Sequence, residues 1–125
     1  MEITHEEVLS LLRKWRDEKR IIQGLLAFSE KTSCCVYGRI EHLDNDWVRV
    51  DDRSMSSFEA RTGISIDLMS ATGFSFEDDR IAAGTEEADQ IRQCYEGLLF
   101  VRLPGGLNAQ LRAARTGAEI DFSEQ

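Results

Sequence analysis

Proline is almost absent from this 125-residue chain, with Pro104 the only one, which excludes proline-rich linkers and collagen-like repeats. Long apolar runs are also missing. None approaches the roughly 20 residues that a membrane-spanning helix needs, and the first 20 residues are too charged for an export leader. The three cysteines, Cys34, Cys35 and Cys94, are an odd set and lack the spacing of a redox dithiol or a zinc site. Free thiols in a reducing, cytoplasmic compartment are therefore expected. Histidine is limited to His5 and His42. There is no P-loop, GxGxxG, Gly-x-Ser-x-Gly, HExxH or CxxC pattern. No catalytic residue, metal ligand or cofactor-binding residue is assigned, so the expectation is a non-catalytic protein without a cofactor.

Positive charge is scarce in most of the chain. The formal net charge is −8, and residues 41–125 carry −9 of it while residues 1–40 carry +1. Clustered Lys and Arg dominate the affinity of proteins for phosphate backbones, and the acidic body would repel a long polyanion. The basic strip Arg13, Lys14, Arg16, Lys19 and Arg20 suits the negative, C-terminal end of a first helix and is read as a solvated face. The carboxylates Asp44, Asp46, Asp51 and Asp52, and the run Glu77, Asp78 and Asp79, match a calcium loop only in composition. They are read as solvated turn residues.

What remains is a chain long enough for one domain, over residues 1–125, with its own core. Thr4-His5-Glu6-Glu7 reads as a capping box, and Val8, Leu9, Leu11, Leu12 and Trp15 follow at helical spacing, which predicts a helix over about residues 5–20. Gly24 and the Leu-Leu-Ala-Phe run favour a strand over residues 21–29, although Ile22 and Leu26 could extend the helical stripe. From residue 33 the period changes to two, with Cys34, Val36, Gly38, Ile40 and His42 on one side. Asp44-Asn45-Asp46 is turn chemistry. Strands follow at 47–50, around Ile64, Ile66 and Leu68, and around Phe74 and Phe76. Residues 85–93 read as a short helix, Leu98-Leu99-Phe100-Val101 as a central strand buried on both faces, and 107–115 as a last helical turn or two. The tail from 116 to 125 is expected to be loose.

A helix followed by a meander of short strands is also the element order of the Sm-like small barrel. Val36-Tyr37-Gly38-Arg39-Ile40-Glu41-His42-Leu43-Asp44 resembles the first Sm motif, and Leu99-Phe100-Val101-Arg102 partly resembles the second. The resemblance spans about residues 5–103. It implies an α+β fold in which the N-terminal helix leads into a small, strongly bent antiparallel β-barrel of Sm-like or SH3-like type, with a short helix before the last strand. It also implies edge pairing into rings and RNA or partner contact through Asp44, Asn45, Trp47 and Arg102. The chain departs from the pattern where Trp47 stands in place of the base-reading Asn and Leu103 in place of a glycine.

The expected function is protein–protein contact or self-assembly as a homo-oligomer, through edge strands and exposed aromatic residues. RNA binding is the alternative, opposed by the charge, and an unrecognised small-ligand site or enzyme is a further one. A Cys94–His42 pair is the only Cys-His combination that strand spacing leaves open.

Overall fold

A computed structural model describes residues 1–29, 31–52, 63–77 and 95–115. After a two-residue strand, β1 (Glu2–Ile3), the helix α1 runs from His5 to Asp17. Its start is set locally. The Thr4 side chain accepts the Glu7 amide at 3.2 Å, and the Glu7 carboxylate accepts the Thr4 amide at 3.2 Å, so two amides without helical partners are satisfied. Val8, Leu9, Leu12 and Trp15 form its buried stripe. The helix stops before the predicted residue 20, because Lys19 takes a left-handed backbone with φ 56°.

Seven further strands follow: β2 (Ile22–Ala27), β3 (Ser33–Leu43), β4 (Trp47–Asp52), β5 (Gly63–Asp67), β6 (Gly73–Glu77), β7 (Tyr95–Arg102) and β8 (Asn108–Ala114). All pair antiparallel in one sheet of order β1-β6-β7-β8-β2-β3-β4-β5. This corrects the expected α+β fold with a closed Sm-like barrel. Among the described residues 57% are strand and 18% helix, and the sheet ends on β1 and β5 without joining them. Residues 107–115 are also corrected. They form β8, a central strand between β7 and β2, in place of helical turns. The segment 85–93 and the tail 116–125 lie outside the described residues.

The sheet is nevertheless strongly curled, and Gly24 shows how. In a flat sheet β5, the third strand from β2, would lie about 14 Å away. Yet a Cβ on Gly24 would meet Ile64 Cδ1 of β5 at 2.9 Å, as well as Val36 Cγ2 at 3.2 Å and Leu111 Cδ2 at 3.3 Å. The missing side chain lets β5 fold over β2, and the inside of the curl is packed by Val36, Val48, Val50, Ile66, Leu99 and Leu111 against the α1 stripe. Two register shifts add to the bend, one between Ile40 and His42, the other between Glu96 and Leu99. Gly97, at φ 70°, occupies the second, and a Cβ there would lie 2.8 Å from the Phe76 ring.

The strand β7 alternates, with Tyr95, Gly97, Leu99 and Val101 buried and Glu96, Leu98, Phe100 and Arg102 half-buried, so the apolar run 98–101 does not bury both faces equally. Arg20 departs from the expected solvated strip. It is buried, donates from Nε to the Ala114 carbonyl at 3.0 Å, and pairs with Glu96 and, at 3.6 Å, with Glu18. The helix end is thereby tied to β7 and β8.

Two stability measurements check this packing. Gly24→Val should overpack the fold-over and cost about 1–3 kcal/mol, read from the urea midpoint; an unchanged midpoint would show that β5 does not lie on β2. Arg20→Leu should cost about 1–3 kcal/mol by leaving the Ala114 carbonyl without its Arg20 donor and Glu96 with the longer Arg115 contact at 3.8 Å, which chemical unfolding of the two chains would measure.

Candidate functional site

The turn between β3 and β4 is built around one carboxylate. Asp44 Oδ1 accepts the amide of Asp46 at 2.7 Å and that of Trp47 at 3.1 Å, while Oδ2 meets His42 Nε2 at 2.8 Å. The His42 ring in turn stacks on the Trp47 indole, with centroids 4.0 Å apart and planes inclined by 20°. The Asp46 amide first, then His42 and the Trp47 amide, hold the Asp44 carboxyl below its ordinary value.

This turn is anchored on both sides. His5 Nε2 lies 2.9 Å from the Asn45 carbonyl, tying the turn to the start of α1. The Asp46 carbonyl accepts the amides of Leu68 at 2.8 Å and Met69 at 3.3 Å, just beyond β5. Asp67 organises that second loop: Oδ2 accepts the Ser70 hydroxyl at 2.6 Å, and Oδ1 accepts the Met69 and Ser70 amides at 3.0 and 3.2 Å. The Ser70 hydroxyl first, and then these amides, lower the Asp67 carboxyl as well.

Hollows flank the turn. One, of about 460 Å³, lies towards α1 and is lined by His5, Glu6, Leu9, Ser10, Arg13 and Asn45. The other, of about 380 Å³, lies towards the sheet edge and is lined by Asp46, Trp47, Ser65, Ile66 and Asp67. A third groove, of about 240 Å³, lies at the far end of α1 between Trp15, Arg16, Lys19, Arg20 and Arg39, Ile40, Glu41. The second is the candidate site, because it alone joins a half-buried aromatic residue to a terminal strand. Among the described residues, no strand pairs with the outer edge of β5. The walls of the first hollow include the exposed Glu6, Ser10 and Arg13, and its His5–Asn45 contact is already made.

Of the four residues singled out in the sequence, Asp44, Asn45 and Trp47 are brought together at this turn. Arg102 is not. It lies on β7, with β8, β2 and β3 between it and β4, and its Nη2 donates to both carboxylate oxygens of Glu2 at 2.6 Å. Asp67 and Ser65 were missed. Their signal was the alternation with Ile64 and Ile66, which places them on the face opposite the core.

No groups of three or more His, Cys, Asp or Glu that could hold a metal ion occur among the described residues. Asp44 and Asp46 sit before β4, and Asp51 and Asp52 at its far end, where Asp51 is buried and pairs with Arg49. Asp78, Asp79 and Cys94, with the Cys94–His42 pair, lie outside the described residues. Cys34 and Cys35 are exposed on β3, and partial desolvation by its neighbours pushes the Cys35 thiol up. No helix among the described residues is long and apolar enough to cross a membrane. No protein-family model matches the chain, and neither the curated proteins nor the solved structures provide a match.

Because the Asp44 carboxyl is lowered in the folded chain, its contribution is complete above its ordinary value of 3.8 and is lost as pH falls through the lower folded value. Asp44→Asn should therefore flatten the acid limb seen by the Trp47 indole proton in an NMR titration between roughly pH 2 and 5. Asp67 retains its own dependence in that range. Identical acid limbs in the two chains would show that Asp44 does not hold the turn.

Proposed function

We propose that this protein is a binding module that accepts an extended segment of a protein partner by strand addition along β5. The single observation that carries the reading is the terminal position of β5 among the described strands, beside the Trp47 groove. A strand with one edge unpaired presents amides and carbonyls in the register of another strand. The strand carries neither lysine nor proline, two of the residues that commonly blunt a sheet edge. At the opposite end of the sheet β1 has only two residues, so β5 offers the longer ladder.

The support is geometric. Ile64 and Ile66 are already buried, so a pairing segment would draw affinity from backbone hydrogen bonds and specificity from the groove at the Asp67 end. Self-assembly is strand addition in which the partner is a second copy. RNA binding has less support, since Arg102 is committed to Glu2 and the groove residues that carry charge are acidic.

Peptides selected from a random extended library are expected to protect the amides of residues 63–67 from hydrogen exchange and to lose most of their affinity with Trp47→Ala. Selected peptides that protect other amides, or a library that yields no binder, would overturn strand addition. Light scattering over a concentration series separates self-assembly from capture of a different chain.

A further inference from the structure

Resting on the strand-addition reading, we infer that the groove beside β5 selects a segment that carries a lysine or arginine, and that Trp47, Asp46 and Asp67 receive this one cationic side chain. Three features of the groove converge on that chemistry. Its aromatic wall is Trp47, the best of the aromatic faces for a cation. Its two charged walls are Asp46 and Asp67, on either side of that indole in the register, since Trp47 is the partner of Asp67 and follows Asp46 directly. The Asp67 carboxylate is held by the Ser70 hydroxyl and the Met69 and Ser70 amides, and the Asp46 main chain is fixed by its amide on Asp44 and its carbonyl on Leu68.

The charge of the neighbourhood agrees. The Asp46 carboxylate makes no ion pair or hydrogen bond among the described residues, so it is available to an incoming ammonium or guanidinium. The nearby cation Arg49 is already engaged, its Nε with Asp51 at 2.5 Å and its Nη1 with the Ser65 hydroxyl at 3.3 Å. His42 is held against Asp44 and stacks on one face of the Trp47 indole, so the groove meets the rest of that ring. A strand laid along β5 sends alternate side chains to opposite faces. Those directed away from the core reach the Ser65 and Asp67 side, where the groove lies. A long aliphatic stem with a charged head suits that path, because the stem can lie on the indole while the head meets the carboxylates.

The test is a panel of labelled six-residue Thr- and Val-rich peptides, each with Lys, Arg, norleucine or Glu at one position, titrated into the full chain by fluorescence anisotropy. Lys and Arg peptides are expected to bind about tenfold tighter than norleucine, and Glu more weakly still. Asp46→Asn should remove most of the Lys preference while leaving norleucine affinity in place, and Glu6→Gln on α1 should leave both. Equal affinity across the panel, with amides 63–67 still protected, would overturn charge selection and leave strand addition standing. A panel in which nothing binds would overturn both.

Discussion

The fold of β5 over β2 is the contact on which the rest of the described structure depends. Among the described residues, α1 adds four buried side chains to the core. The sheet buries much of its apolar face against itself. Ile64 reaches the backbone of Gly24 three strands away, and the core runs continuously from Val8 on the helix to Ile66 near the edge. Glycine supports this curvature: Gly24 by leaving room and Gly97 by adopting a positive φ inside a bulge.

The same curl brings the β3–β4 turn to its working position. Asn45 reaches His5 on the helix, while the β4–β5 register sets Asp46 against Leu68, so the turn is pinned at two points. Pinning makes the Trp47 surface a fixed feature. A fixed aromatic wall loses little conformational freedom when a partner arrives, which is the condition for a shallow groove to contribute affinity.

How much could be read in advance follows from how far apart the interacting residues lie in the chain. The capping box, the Asp44 turn and the two-residue period of β3 are local, and each was legible. The strand β8 was not, although Ala109, Leu111 and Ala113 alternate with Gln110 and Arg112. Alanine, leucine, glutamine and arginine are good helix formers, and only the placement of β8 between β2 and β7 makes small residues necessary there. The strongly bent barrel was expected from the spacing of the turns and a short motif, but neither says whether β1 can meet β5. At the site, Trp47 and Asp44 were visible as turn neighbours. Arg102 was grouped with them from the motif, and its contact with Glu2, 100 residues away, was not legible in the sequence.

The position of β8 also sets an order of events. It comes last in sequence among the described strands, yet it stands fourth in the sheet and joins β2–β5 to β1, β6 and β7. As the chain leaves the ribosome, the β2–β5 meander is complete before residues 108–114 exist. Until they arrive, β2 has an open edge of its own, and its Gly24–Leu111 contact cannot form. The two parts of the described sheet are joined only through this strand, so their long-range pairing waits on residues 108–114.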